Sequence, residues 1–122
     1  MIEIRREDFS VDDITNKMMN PKIGAISIYL GTVREFPSGN GLEFEDNNQA
    51  VLKLQEIEKR VIDRFDVEEV AIVHRVGFLA ISENILLVAV SAAHREPAFD
   101  ACRSIIDDIK DFHKSWGKEV PK

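Results

Sequence analysis

The chain of 122 residues has very little cysteine and no long apolar stretch. Its one cysteine, Cys102, cannot form a disulfide within the chain or supply a cysteine-based zinc site. The longest apolar run, residues 85–90, is far shorter than the roughly 20 residues that a membrane-spanning helix needs. The first residues, MIEIRRED, do not have the pattern of a signal peptide. We therefore expect a cytoplasmic protein without a membrane partner.

Basic residues are outnumbered as well. The chain has 16 Lys and Arg against 22 Asp and Glu, which gives a formal net charge of −6. This balance argues against a nucleic-acid partner. The exception is the segment 110–122, which contains four lysines and only two acidic residues. Two interpretations of this segment stay open: a solvated chain end, or a local site for an anion or an acidic partner.

Apolar residues make up 44% of the chain, which is enough for one hydrophobic core. No repeat or linker divides the sequence, so we treat residues 1–122 as a single domain. Alternating apolar and polar residues predict strands at 2–6, 24–33, 42–45 and 67–76. The nearly continuous apolar run 85–92 predicts a central strand that is covered on both faces.

Helices are predicted where apolar residues recur at spacings of three and four. One begins after Ser10, a second covers 48–65, and a third opens at Pro97. The segment 35–41 is rich in glycine and proline and predicts a loop. The resulting order, β-α-β-β-α-β-β-α, indicates an α+β fold: a mixed, largely antiparallel sheet with about three helices packed on it.

Charged residues that directly follow predicted strands are candidates for a binding site. His94 and Arg95 lie between the most apolar strand and the last helix, where helix N–H groups and a guanidinium favour an anion. The alternative is that Arg95 pairs with a nearby carboxylate, Glu96 or Asp100, and that His94 only caps the helix. Arg34 follows the strand 24–33 in the same way, and there the alternative is a solvated side chain.

The last predicted helix carries two lysines one turn apart, Lys110 and Lys114. A cationic cluster makes an ammonium group easier to deprotonate, which would suit a nucleophile or proton carrier, whereas pairing with Asp107 is the alternative. His74 alternates with core residues and is interpreted as a structural histidine, and Cys102 as a core residue. No second ligand lies at metal-binding spacing, so we predict no bound metal.

Five stretches occur in a specific order between Gly24 and Glu119. They are Gly31-Thr-Val-Arg34, VAIVHRVG at 70–77, VAVSAAHREPAF at 88–99, IIDDIK at 105–110 and WGKE at 116–119. Together they resemble the MoaE family, the large catalytic subunits of molybdopterin synthase. The resemblance implies a MoaE-like α/β hammerhead fold.

The resemblance also implies an activity. Family members convert cyclic pyranopterin monophosphate (precursor Z) to molybdopterin by inserting the two sulfurs of the dithiolene. The sulfur arrives as a thiocarboxylate on the C-terminal glycine of a small, ubiquitin-like subunit of the MoaD type. The large subunits form a homodimer within a heterotetramer. No cofactor is bound permanently, because the pterin is the substrate.

Residue roles follow by matching positions. The resemblance implies that Arg34, His94 and Arg95 form a cradle for the anionic cyclic phosphate. It also implies that Lys110 is the lysine beside the incoming tail of the small subunit, where positive charge would stabilise the attacking sulfur.

The chain departs from the family pattern in two places. Gly117 stands where the family usually has a lysine directly after the tryptophan, and the loop 35–37 carries Glu-Phe-Pro where polar residues are common. We expect Lys118 to match a second family lysine, and Lys118 or Lys114 to substitute for the missing one. The expected catalytic residues are therefore Lys110, Lys118 and Arg34, and the substrate-binding residues are Arg34, His94, Arg95 and Lys114. A catalytically degenerate MoaE-related protein, which binds the small subunit or a phosphorylated ligand without turnover, is the alternative.

Overall fold

A computed structural model describes all residues of the chain, 1–122. It contains seven strands: β1 (Ile2–Arg5), β2 (Ala25–Thr32), β3 (Gly39–Phe44), β4 (Glu69–Arg75), β5 (Gly77–Ala80), β6 (Asn84–Ala92) and β7 (Gly117–Pro121). It contains three helices: α1 (Val11–Met18), α2 (Asn48–Arg64) and α3 (Arg95–Trp116). The predicted fold class is confirmed, with three helices, one mixed sheet and one antiparallel sheet.

The larger sheet has the strand order β1-β4-β6-β2. β1 pairs with β4 in parallel, and the other two pairs are antiparallel. β6 is a central strand whose residues 85–92 are all buried, as its apolar run predicts. β2 lies at one edge of this sheet, and its outer edge has no neighbouring strand.

Helices cover both faces of this sheet. α2 and α3 pack on one face, where Leu54, Ile57 and Ile105 join the main core with the inward residues of β4 and β6. α1 packs on the opposite face, where Ile14 and Met18 form a smaller core with residues of β4 and β6. This sandwich explains why β4 and β6 are apolar on both sides, since neither face of either strand meets water.

The smaller sheet has the order β5-β3-β7, with both pairs antiparallel. It corrects three sequence predictions. β5 and β7 were not predicted, the sheet is divided into two, and Gly39 to Gly41, predicted to lie in a loop, begins β3. Glycine occurs in this strand because backbones approach closely: a Cβ at Gly41 would lie 2.3 Å from the carbonyl oxygen of Leu79.

The helix starts agree with their predicted chemistry, with one shift. Ser10 caps α1, where its hydroxyl accepts a hydrogen bond from the backbone N–H of Asp13 at 3.2 Å. α3 begins at Arg95, two residues before Pro97, so the proline is the third residue of the helix and not the first. A proline is tolerated there because the first-turn N–H groups have no partner within the helix. No helix of the chain combines the length and the apolar character needed to cross a membrane.

The contact at Gly41 gives a test of the smaller sheet. We expect Gly41→Ala to lower the free energy of unfolding by about 2 kcal/mol, because the added methyl group would force the β3 and β5 backbones apart. Urea denaturation measures this. Gly31→Ala is the matched control, since the atoms nearest to a Cβ there belong to the side chain of Tyr29, at 3.1 Å, and not to the backbone of a neighbouring strand. Equal effects of the two substitutions would show that the close approach at Gly41 is unimportant.

Candidate active site

An open cleft of about 410 Å³ lies where the end of β2, the C-terminal half of α3 and the smaller sheet meet. Its walls include Tyr29 and Thr32 of β2, Arg34 and Phe36 of the following segment, Leu42 of β3, Lys110 and His113 of α3, and Glu119 of β7. The fold thus brings together two of the predicted site residues, Arg34 and Lys110, which are 76 positions apart in the sequence.

The backbone that carries Arg34 is firmly held. Val33 is buried, its N–H donates to the carbonyl of Glu83 at 2.9 Å, and its own carbonyl accepts from the N–H of Ser82 at 2.7 Å. Arg34 itself is exposed and forms no ion pair. A guanidinium on a fixed backbone and without a carboxylate partner is available to an anionic ligand.

Lys110 reaches the cleft from the opposite wall. Ile109 packs in the main core and fixes the rotation of α3, so that the adjacent Lys110 is exposed. The ammonium nitrogen of Lys110 lies 6.0 Å from the centroid of the Tyr29 ring, and no carboxylate lies within ion-pair distance of it. The cleft therefore has two free cations, with Glu119 as its one acidic wall residue.

His113 is a wall residue that is not among the predicted site residues. Its Nε2 lies 2.8 Å from Nε2 of the fully buried His74. Nδ1 of His74 lies 2.6 Å from the carbonyl oxygen of Arg75, which can only accept, so Nδ1 of His74 is the donor. Nε2 of neutral His74 is then an acceptor, and Nε2 of His113 must donate to it. This leaves Nδ1 of His113 as the acceptor of that ring.

The two imidazoles are kept neutral by their surroundings. Burial lowers the pKa of His74 to about 3, and the nearby His113 adds to this effect. Burial also lowers the pKa of His113 to about 4, helped by the positive charge of Lys110. Both rings pack against Phe44, with centroid distances of 4.8 Å and 5.0 Å, and Trp116 lies 4.3 Å from His74. The predicted structural role of His74 is thus confirmed, with His113 as its partner.

The structure places Lys114 and Lys118 outside this cleft. Lys114 is 80% exposed and pairs with Asp111 at 3.5 Å, and not with Asp107. Lys118 lies opposite Glu43 in the β3–β7 pair, whereas Glu119 lies opposite Leu42. Because successive side chains of a strand point to opposite faces, Glu119 faces the cleft, and Lys118 lines a separate groove on the other face of the small sheet.

Gly117, the departure from the family pattern, lies at the junction of α3 and β7. A Cβ at this position would be 2.8 Å from Cε1 of Phe44. The ring of Phe44 therefore occupies the space that a side chain at position 117 would need, and the cationic group expected there is absent from this wall of the cleft.

His94 and Arg95 lie at the far end of the large sheet. They border a shallow depression with Gly24 and Ala93, beside the start of β2, whereas Arg34 follows its end. Eight residues of β2 separate the two places, roughly 25 Å at the usual rise of a strand. Arg95 forms no ion pair with Glu96 or Asp100, and the side chain of His94 makes no capping hydrogen bond. Within one chain, His94 and Arg95 are therefore too far from Arg34 and Lys110 to share a site with them.

Cys102 is buried among core residues, as predicted, and burial raises the pKa of its thiol. The sequence holds one signal for His113, the residue that was not predicted. His113 follows Lys110 by three positions, which places both on one side of a helix. Its partner His74 is 39 residues away in the sequence, so spacing alone does not reveal the pair.

Comparison with known proteins agrees with this geometry. The family model described as "MoaE protein" matches residues 4–112. The molybdopterin synthase catalytic subunit of Pyrococcus abyssi is 36% identical over 118 residues, which span 93% of this chain and 80% of that protein. The human molybdopterin synthase catalytic subunit is 34% identical over 128 residues, with 98% of this chain and 66% of that protein covered.

Solved structures give the same result. Molybdopterin synthase from Staphylococcus aureus matches with a TM-score of 0.87 and 30% identity, over 98% of this chain and 90% of that one. Molybdopterin cofactor biosynthesis protein E from Burkholderia multivorans matches with a TM-score of 0.81 and 35% identity, over 89% of this chain and 75% of that one.

The histidine pair predicts a pH dependence of stability. The folded chain leaves both imidazoles unprotonated below pH 6.5, where the unfolded chain protonates them. The pair therefore makes its full contribution to the free energy of unfolding above pH 6.5. As the pH drops towards 4, the free energy of unfolding falls by up to about 1.4 kcal/mol per pH unit for each imidazole.

Thermal or urea denaturation between pH 7 and pH 4.5 measures this slope. His113→Gln removes one titrating imidazole and should make the slope shallower than in the wild type. His94→Gln is the matched control, because His94 lies outside the pair. A slope that is identical in all three proteins would contradict the proposed origin of the effect.

Proposed function

The chain belongs to the MoaE family, and on this premise we propose that it is the catalytic subunit of a molybdopterin synthase. In this role it transfers sulfur from a C-terminal thiocarboxylate of a small, ubiquitin-like subunit to cyclic pyranopterin monophosphate. In each transfer the thiocarboxylate sulfur forms a bond to a carbon of the pterin side chain, and an oxygen substituent leaves that carbon. Water then attacks the acyl carbon of the tail and breaks its bond to sulfur, so the sulfur stays on the pterin and the tail ends as a carboxylate. The product carries the dithiolene of molybdopterin.

The observation that carries this proposal is the pair of free cations in one cleft, Arg34 and Lys110. Both reactants are anions: the pterin through its cyclic phosphate, and the tail through its thiocarboxylate. A planar guanidinium suits a phosphate because it can donate two parallel hydrogen bonds. The compact ammonium of Lys110 suits charge that shifts from sulfur to the acyl oxygen during transfer.

The shape of the cleft also supports a protein tail as sulfur donor. It is open to solvent on one side, and Tyr29, Phe36 and Leu42 give it partly apolar walls. An extended glycine-ended peptide has no bulky side chain at its tip and fits such an opening. We therefore propose the small ubiquitin-like subunit of the MoaD type as the partner of this face.

We propose further that two copies of the chain form a dimer through the free edge of β2. This edge has unpaired backbone groups, and Ile28 and Leu30 are 46% and 43% exposed beside it. A two-fold axis near Ile28 would pair the two β2 strands antiparallel, so that position 24 of one copy lies beside position 32 of the other. His94 and Arg95 of the second copy would then approach the cleft that holds Arg34 and Lys110.

Alanine substitutions test the two cations. We expect Lys110→Ala and Arg34→Ala each to lower the rate of dithiolene formation by about 100-fold, because charge on the reactants loses its partner. The assay mixes the purified protein with thiocarboxylated small subunit and precursor Z, and detects the oxidised pterin dithiolene. Lys114→Ala is the matched control, an exposed lysine on the same helix outside the cleft. Full activity of the Lys110 variant would refute its role.

Mixing of two inactive variants tests the shared site. If His94 and Arg95 act on the neighbouring copy, Lys110→Ala and Arg95→Ala homodimers are both impaired, but each mixed dimer contains one intact site. Denaturing and refolding the two variants together should therefore restore activity that neither has alone. If the mixture is no more active than its components, Arg95 does not complete the cleft of a second copy.

A further inference from the structure

We propose that His113 is a positioning residue for Lys110: His74 fixes its ring so that Nδ1 presents a hydrogen-bond acceptor to the ammonium group of Lys110. The inference rests on the proposed function, since it gives His113 a part in preparing the cleft for its anionic reactants. It concerns a side chain that the resemblance to the family does not assign.

Lys110 and His113 share one wall of the cleft. Lys110 and His113 lie three residues apart on α3, which puts them on neighbouring turns of one helix face, and both line the cleft. Nε2 of His113 is already used by His74 at 2.8 Å, on the core side of the ring. Nδ1 is therefore the only polar ring atom that remains for a donor in the cleft.

The tautomer is fixed by a chain of three groups. The carbonyl of Arg75 holds the proton on Nδ1 of His74, and Nε2 of His74 in turn holds the proton on Nε2 of His113. Aromatic contacts with Phe44 prevent the two rings from rotating freely. His113 consequently offers an acceptor in a set direction, which an isolated surface histidine would not do.

A neutral hydrogen-bond acceptor can orient Lys110 without reducing the positive charge of the cleft. Lys110 has four rotatable side-chain bonds and no carboxylate partner, so its ammonium group would otherwise sample many positions. A carboxylate would hold it in place but would cancel the positive charge that an anionic reactant needs. The imidazole accepts a hydrogen bond without adding negative charge, so it orients Lys110 and does not offset the positive charge of the cleft.

Other groups around His113 are consistent with this arrangement. The faces that meet the ring belong to His74 of β4, Phe44 of β3 and Trp116 of α3, and none of these carries a charge when His74 is neutral. The charged side chains of the cleft are Lys110, Arg34 and Glu119. A proton on His113 would face the ammonium of Lys110, and the resulting repulsion favours the neutral ring.

Two conservative variants separate this role from a structural one. Asn places an oxygen near the position of Nδ1 but cannot reach His74, whereas Gln places an amide near the position of Nε2 and lacks the acceptor at Nδ1. We expect His113→Asn to lower Tm by about 5 °C but to keep kcat within about threefold. We expect His113→Gln to keep Tm and to lower kcat about 10-fold with little change in KM.

The reverse pattern, an active Gln variant and an inactive Asn variant, would overturn the proposal. Activity losses that simply follow the losses of Tm in both variants would do so too, since the histidine would then be structural only.

A nitrogen-15 NMR measurement tests the contact without the reaction. In the wild-type protein at pH 7, Nε2 of His113 should appear protonated and Nδ1 as an unprotonated acceptor. Lys110→Met keeps most of the side-chain length but removes the donor, so the Nδ1 resonance should move towards the value of a free acceptor. Lys114→Met is the matched control and should leave it in place. An Nδ1 resonance that does not respond to Lys110→Met would overturn the inference.

This measurement also separates the inference from the proposed function. If the wild-type protein makes no dithiolene while the Nδ1 resonance responds to Lys110→Met, the synthase assignment fails and the contact stands. If dithiolene forms normally and the resonance does not respond, the assignment stands and the positioning role fails.

Discussion

The cleft depends on the junction between α3 and β7, where the strand follows the helix without a loop and Trp116 fixes the position of both. The indole N–H of Trp116 donates to the carbonyl of Glu45 at 2.7 Å, and its ring is buried among Phe44, His74 and Phe112. Because β7 begins at the next residue, this contact ties the last helix of the large sheet to the small sheet. The cleft is the space that the junction leaves open between the two.

The chemistry of the cleft follows from the fact that its two cations form no salt bridge with a carboxylate. The salt bridges of the chain lie elsewhere: near the chain start, along α2, between Arg60 of α2 and Asp108 of α3, beside Arg75, and between Lys114 and Asp111. Arg34 and Lys110 are left without partners in a protein whose formal net charge is −6. Because both cations lie in one cleft with a single carboxylate, the cleft attracts an anion even though the chain as a whole is acidic.

The sequence predicted the large sheet and the helices well because their signals are local. Each of these elements buries one face or both, and this burial leaves a pattern of apolar residues in the sequence. The pattern is an alternation in β2 and β4, a continuous run in β6, and stripes in α2 and α3. The small sheet was partly missed because its strands are short and rich in glycine, and because β7 follows a helix without a turn. Gly39 and Gly41 have the composition of a turn, yet they are strand residues where backbones approach closely.

Single residues of the site could be predicted from the sequence, but their arrangement in space could not. Arg34 and Lys110 were found through motifs, and the structure places both in one cleft. The side on which Lys118 lies depends on the register of β7, which no local pattern encodes. The separation of His94 and Arg95 from the cleft depends on the length of β2, and the contact of His113 with His74 depends on the packing of α3 against β4.

The close fit of Phe44 against Gly117 has a consequence for how this site can change in evolution. A lysine at position 117 requires the ring of Phe44 to move, and that ring also packs against His74 and His113. Side chains at positions 44 and 117 therefore compete for one space, so we expect the effects of substitutions at these two positions on stability to be non-additive. Room for a side chain at position 117 depends in this way on which residue occupies position 44.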